Sequence, residues 1–238
     1  MMDKSIVIIV EHAQGKAAQI NYELAALAEE IRQAQPLDVK AVVLGKDPMG
    51  PARDMADAAG IPVMAVQNPY LAEYNGEVYK DLLAQLLPPL DPLFVLIAQT
   101  TRGLDFAPGL AARLKAGCMT GVNAVSRVKG DICFSRAAFN NKIVLDMVPT
   151  VKTAVLLIQP GAFKALQPAA HTPGKIDFMT STAGPKKTRS LGIRKARQED
   201  GRLAQADVIV AAGRGIGKQE NLALIKDLTA LFPRSAVA

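Results

Sequence analysis

The sequence predicts an α/β protein of three layers, in which a mainly parallel sheet has helices on both faces and added antiparallel strands at one edge. Short apolar runs such as SIVIIV (5–10) are typical of strands covered on both faces. They alternate with segments whose apolar residues recur at helical spacing, which indicates βαβ units. Between 122 and 158, apolar runs separated by turn residues show no helical spacing, which predicts the antiparallel strands.

The composition is that of an ordinary globular protein. Half of the 238 residues are apolar and 21% are charged. No apolar run approaches the roughly 20 residues of a transmembrane helix, and the first run is too short for a signal peptide. We therefore expect a cytoplasmic protein without membrane insertion. Cys118 and Cys133 are too few and too far apart for a disulfide framework or a CxxC metal site, which predicts two reduced, semi-buried thiols.

The net charge of +6 is concentrated in one stretch, residues 185–202. Two acidic residues, Glu199 and Asp200, stand there against seven basic ones: Lys186, Lys187, Arg189, Arg194, Lys195, Arg197 and Arg202. The stretch has no aromatic residue on which a base could stack, so we expect no nucleic-acid partner. A solvated connector is favoured, with anion binding as the alternative.

The elements of the first 100 residues follow from local signals. Proline begins the second helix at Pro51 and glycine ends it at Gly60. The third helix stops before Pro88. The predicted elements are, in order, strand 5–10, helix 17–34, strand 38–45, helix 51–60, strand 61–67, helix 76–87 and strand 92–99.

The next segment is predicted to be a helix that Asp105 caps and Gly117 ends. Four consecutive, hairpin-linked strands are then expected at 122–128, 131–139, 142–148 and 153–159. A Pro- and Gly-rich connector follows, with one edge strand at 175–180.

Near the end of the chain the strand-turn-helix pattern begins again. We expect an N-terminal α/β domain at 1–195, a linker at 196–206 and the first strand and helix of a second domain at 207–238. Leu222, Ile225 and Leu228 share one face of that helix.

The turn AAGRGIGKQE (211–220) joins this strand to its helix. Glycines at such a turn let backbone N–H groups approach an anion. The turn lacks the spacing of a P-loop and the third glycine of GxGxxG, where Lys218 stands. A structural turn and a phosphate-binding turn that uses Arg214 and Lys218 remain equally open.

Other candidate residues are few. His12 and His171 are too far apart for a metal site, and we expect both to be structural or solvated. Thr100, Thr101 and Arg102 follow the fourth strand, where α/β sheets bind ligands, although a polar loop before a capped helix explains them equally well. The chain has no GxSxG nucleophile motif.

Four stretches, in this order, resemble the α subunit of electron transfer flavoproteins. They are IVIIVEH, QTTRGLDFAPGLAARLKAG, QPGAF and ADVIVAAGRGIGKQENLALIKDLT. The resemblance implies an electron carrier, rather than a substrate-converting enzyme, that pairs with a β subunit and passes electrons from a dehydrogenase to an acceptor. It implies FAD in the α subunit's C-terminal flavodoxin-like domain, and AMP in the β subunit only.

The resemblance also implies a role for the glycine turn in FAD binding. The arginine near FAD corresponds to Arg214, between Gly213 and Gly215. The family continues beyond this point with further flavin contacts, so the second flavodoxin-like domain is expected to be incomplete here and not to retain FAD tightly. A lone strand and helix cannot bury their apolar face, so this part should be disordered, packed on the first domain or paired with another copy.

The chain departs from the family pattern at three places. Arg-Gly-Leu-Asp (102–105) stands where the family has Gly-Arg-Asp, and Gly109 and Gln159 stand where it has arginines. We therefore expect a divergent branch. Two alternatives to the electron carrier remain: a docking or assembly module without redox role, and a free-standing adenine-nucleotide-binding domain whose pocket lies at the end of the first strand and the 100–105 loop.

Overall fold

The computed structural model describes residues 4–166, 172–185, 187–192, 203 and 206–238. The chain divides into two compact units, residues 1–191 and 192–238. Within the described ranges, no helix is both long enough and apolar enough to cross a membrane.

Eleven strands and four helices are described in the first unit. The strands are β1 (Ser5–Val10), β2 (His12–Ala13), β3 (Lys16–Ala17), β4 (Asp38–Gly45), β5 (Val63–Gln67), β6 (Pro92–Ala98), β7 (Gly117–Val128), β8 (Asp131–Ala138), β9 (Ile143–Met147), β10 (Ala154–Ile158) and β11 (Ile176–Thr180). The helices are α1 (Ile20–Ala34), α2 (Met49–Ala59), α3 (Gly76–Leu86) and α4 (Thr101–Leu114).

Nine of these strands form one sheet in the order β11-β5-β4-β1-β6-β10-β7-β8-β9. The strands from β11 to β7 run parallel, and β8 and β9 continue the sheet as antiparallel hairpins. The predicted fold class, a mainly parallel sheet with antiparallel strands at one edge, is confirmed.

Helices cover both faces of the parallel part. Ile6, Ile8 and Val10 of β1 pack in one core with α1 and α2. The alternate residues Val7 and Ile9 pack in a second core with α3 and α4. All six residues of β1 are buried, as a continuous apolar run predicts for a strand inside such a sheet.

The prediction that the strand at 153–159 continues the hairpin-linked series is wrong. β10 lies between β6 and β7 and is parallel to both. All five of its residues are buried, whereas four of the five residues of β9 are exposed. A fully apolar run such as AVLLI therefore fits only the middle of the sheet, where helices cover both faces.

The predicted ends of α4 are also wrong. Thr100, not Asp105, is the N-cap, and Lys115 in the left-handed conformation ends the helix. Gly117 is already the first residue of β7. Pro108 lies inside the helix, a position that proline usually disfavours.

The second unit contains β12 (Val208–Val210), α5 (Leu222–Ala230) and β13 (Ser235–Val237). β12 and β13 pair in parallel, so the three elements form one βαβ motif. The sequence analysis missed β13, which is only three residues long. Of the predicted face of α5, Leu222 and Ile225 are half-buried and Leu228 is exposed.

Candidate functional site

Open α/β sheets bind their ligands at the carboxyl ends of the parallel strands, so this edge of the sheet is the first candidate site. From β1 the chain builds the sheet in one direction through β4 and β5, and then returns to β6 on the other side of β1. Ligands of open α/β sheets bind at such a reversal of strand order. Glu11 and Thr100 follow these two strands, so both lie at this position.

Hydrogen-bonded polar side chains occupy the position where the strand order reverses. The Thr100 hydroxyl donates to the Glu11 carboxylate at 2.7 Å and accepts from the Gly103 N–H at 3.2 Å. The buried Asn21 amide pairs with the Glu11 backbone, accepting its N–H at 2.9 Å and donating to its carbonyl at 2.6 Å. These groups satisfy one another, which is typical of a structural polar cluster.

His12 and Tyr79 share one acceptor. The Leu44 carbonyl oxygen lies 2.8 Å from His12 Nε2 and 3.1 Å from the Tyr79 hydroxyl. Because a carbonyl only accepts, His12 carries a proton on Nε2 and donates it here. Burial raises the pKa of Tyr79 to about 12. His12 is thus structural in this arrangement.

Arg102 belongs to a cluster with Tyr74 and Asp105. Its guanidinium donates to the His12 carbonyl at 3.0 Å and lies 5.7 Å from the centre of the Tyr74 ring. The Tyr74 hydroxyl donates to the Asp105 carboxylate at 2.6 Å. Burial first, and this hydrogen bond second, raise the pKa of Tyr74 far above its usual value.

These contacts leave little space. The cavity bordered by the ends of β1 and β6, Tyr79 and Phe106 has a volume of about 10 Å³. That is about the room one water molecule needs, and far below the volume of a ligand pocket. This part of the described structure therefore does not favour the free-standing adenine-nucleotide domain.

The glycine turn of the second unit is open instead. Gly213, Arg214 and Gly215 are exposed and follow β12 at its carboxyl end. A Cβ on either glycine would meet no atom of the chain within 4 Å. Gly217 has a φ of 74°, a conformation that favours glycine. Backbone and arginine are both accessible to a ligand.

An open depression lies beside this turn. Its volume is about 520 Å³, and its lining combines the turn with apolar residues of α5 such as Leu224 and Ile225. Among the described residues, the Arg214 guanidinium forms no ion pair. Lys218 is exposed in the same turn.

The other candidates from the sequence were the two cysteines, a possible metal site, His171 and the basic stretch. Both cysteines are free thiols, but the prediction that both are semi-buried is wrong, since Cys118 is exposed and Cys133 is buried. No group of three or more potential metal ligands occurs in the part of the chain that is described. His171 lies outside the described residues, and so do residues 186 and 193–202 of the basic stretch 185–202. The sequence analysis missed Tyr74, Tyr79 and Asn21, which no motif marks because only the fold brings them to this edge.

The fold and these two places define a two-unit α/β protein whose first unit has the nucleotide-binding type of sheet. The family model of the electron transfer flavoprotein domain matches residues 6–186. The chain belongs to this family, and the resemblance stated from the sequence is confirmed.

Relatives extend the similarity to nearly the whole chain. Electron transfer flavoprotein subunit alpha of Clostridium acetobutylicum is 24% identical over 236 residues, which cover 96% of this chain and 70% of that protein. The subunit alpha of Bacillus subtilis is 23% identical, covering 95% of this chain and 69% of that protein. Protein FixB of Clostridium saccharobutylicum is 27% identical, covering 94% and 68%.

Proposed function

We propose that the chain is an α-type subunit of an electron transfer flavoprotein that contacts FAD through Gly213, Arg214 and Gly215. The open glycine turn after β12 carries this proposal. Its accessible backbone and exposed guanidinium suit an anionic or electron-rich group, and it lies in the segment that resembles the family's flavin domain.

The residues of the turn have separate roles in this proposal. Gly213 and Gly215 allow close approach of the cofactor, because neither presents a side chain. Arg214 supplies a positive charge that orients the cofactor and favours its negatively charged forms. FAD supplies the redox chemistry itself, and the protein binds and positions it.

The partner we propose is a β-type subunit of the same family, with AMP bound in that subunit only. The β9 edge supports a protein partner. Ile143, Val144 and Leu145 are 47%, 63% and 39% exposed, although such residues alternate between the two faces of a strand. An apolar edge strand exposed on both faces is typical of an interaction site.

In this role the complex accepts electrons from a dehydrogenase and passes them to an acceptor in the cytoplasm. The chain is then an electron carrier rather than an enzyme that converts a substrate. The second candidate, a docking module without redox role, differs from it in one respect: its complex with the β-type subunit contains no flavin.

Flavin binding tests the proposal. FAD is titrated into the purified complex of the chain with a β-type subunit, and its binding is followed by flavin absorption and fluorescence for wild type, Arg214→Ala and Lys226→Ala. The last variant removes an exposed positive charge from α5, outside the turn. We expect Arg214→Ala to weaken FAD binding by about tenfold or more, as for loss of a charged hydrogen bond, and Lys226→Ala to leave it unchanged.

A wild-type complex that does not bind added FAD would support the docking module instead. Equal FAD affinities of Arg214→Ala and wild type would contradict the role of Arg214. For the partner surface, Val144→Asp should weaken binding of the β-type subunit, while Met179→Asp on the opposite edge strand β11 should not. If Val144→Asp binds the β-type subunit as tightly as Met179→Asp does, the interface lies elsewhere.

A further inference from the structure

Polar contacts hold the last described part of the first unit against the start of α3. Residues 187–190, which we call the strap, come after the edge strand β11 in the chain. They are exposed, and Leu191 beyond them is 88% exposed. The strap therefore has no apolar anchor of its own.

One carboxylate oxygen accepts three hydrogen bonds from the strap. Glu77 Oε2 accepts the N–H groups of Lys187 and Thr188 and the hydroxyl of Thr188, each at 3.0 Å. Two successive N–H groups directed at one oxygen are a geometry that proteins use to bind anions. Here the anion is a side chain of the same molecule.

The neighbouring residues of α3 and its preceding loop complete the attachment. Asn75, the N-cap of α3, donates its amide to the Thr188 hydroxyl at 3.2 Å. Ser190 donates its hydroxyl to the Glu73 carboxylate. Just before the strap, the buried Asn68 amide donates to the Ala183 carbonyl at 2.9 Å. The β5–α3 loop thus binds the chain at several successive points.

We propose that Glu77 is a clasp that fixes where the chain leaves the first unit, and that the strap opens locally without unfolding of that unit. Surface hydrogen bonds without buried apolar contacts open at low cost, whereas the sheet opens only on global unfolding. This inference does not depend on flavin or on a partner.

Hydrogen exchange of the full chain tests the clasp. Glu77→Ala should speed amide exchange of Lys187 and Thr188 by about tenfold or more, since charged hydrogen bonds are the stronger ones. Glu77→Gln keeps a neutral acceptor and should give an intermediate rate. Glu29→Ala is the control, because Glu29 is a helical glutamate whose ion pair is with Arg32 on α1.

The pattern of exchange separates the clasp from a simple effect on α3. Glu77 also lies in the first turn of α3, where a negative charge stabilises the helix. Faster exchange confined to 187–190, with faster trypsin cleavage after Lys187 and Arg189, supports the clasp. Unchanged exchange of the strap, or an increase that extends through Val78–Leu83, overturns it.

Discussion

At the scale of single residues, Gly103 leaves no room for a side chain in α4. A Cβ there would overlap the Ala98 carbonyl oxygen and lie 3.1 Å from its carbon and 3.2 Å from Ile97 Cγ2. The residue is buried where α4 begins beside the end of β6. Even one methyl group would therefore push the helix away from the sheet.

We predict that Gly103→Ala lowers the free energy of unfolding by about 2–3 kcal/mol, as overpacking of a core does. Gly109→Ala is the matched control in the same helix. A Cβ there meets only the flexible Lys80 side chain, 2.8 Å away at Cδ, and alanine favours a helix over glycine by about 0.5–1 kcal/mol. Urea titration measures both variants, and equal stabilities would contradict the packing at Gly103.

Tyr79 makes stability depend on alkaline pH. Burial raises its pKa from 10.0 in the unfolded chain to about 12 in the folded chain. Below pH 10 the hydroxyl is neutral in both states, so its contribution is fully present. As the pH rises from 10 towards 12, only the unfolded chain loses the proton, and the free energy of unfolding falls.

We therefore expect stability to decrease above pH 10 with a slope of up to about 1.4 kcal/mol per pH unit from this residue. Tyr79→Phe should flatten that part of the curve, although Tyr74, whose pKa is also raised, still contributes. It should also cost about 1 kcal/mol at neutral pH through loss of the hydrogen bond to Leu44. Denaturant titrations from pH 8 to 11.5 measure both effects. An unchanged alkaline slope would show that the Tyr79 hydroxyl is not buried.

At the scale of elements, the start of α4 depends on Thr100. Its hydroxyl caps the helix and also donates to Glu11, so it joins the ends of β1 and β6 to the helix. Thr100→Ala should cost about 1–2 kcal/mol, the usual range for loss of an N-cap. Thr100→Ser keeps the hydroxyl and should cost less.

The variant Asp105→Ala tests whether Asp105, as the sequence predicted, or Thr100 is the N-cap of α4. Asp105 is exposed and accepts one hydrogen bond from Tyr74, so its loss should cost only about 0.5–1.5 kcal/mol. Thermal unfolding of the three variants ranks the residues. A larger cost for Asp105→Ala than for Thr100→Ala would mean that the helix begins where the sequence predicted.

Local signals determine most elements but not their neighbours in the sheet. β1 and β4 have the bounds that their apolar runs predict, and Gly60 ends α2 as predicted. The position of β10 was missed, because strand order depends on contacts between residues far apart in the chain.

The two candidate sites likewise differ in whether the sequence alone reveals them. The turn around Arg214 is visible in the sequence because its glycines are adjacent. The cluster of Tyr74, Arg102 and Asp105 is not, since packing of α3 against α4 brings together residues about 30 positions apart. Lys80 beside Gly109 is likewise a contact between these two helices that no sequence pattern marks.

At the scale of the whole molecule, the two units differ in how much apolar surface they bury. The first has two extensive cores on either side of its sheet. In the second, Ile209, Leu224 and Leu231 are 52%, 68% and 75% exposed. With these residues exposed, the second unit buries little apolar surface to offset the conformational entropy that folding costs.

We therefore predict that the two units open independently in native-state hydrogen exchange. Amides of α5 should exchange through local opening, at rates nearly independent of low urea concentrations, because little surface is exposed when this unit opens. Amides of β1 should exchange only through global unfolding, with a steep dependence on urea. Gly103→Ala provides the control, since it should speed exchange in β1 and leave α5 unchanged. If α5 and β1 instead exchange with the same urea dependence, the second unit is stabilised by the same cooperative transition as the first, and its exposed apolar residues are covered in solution.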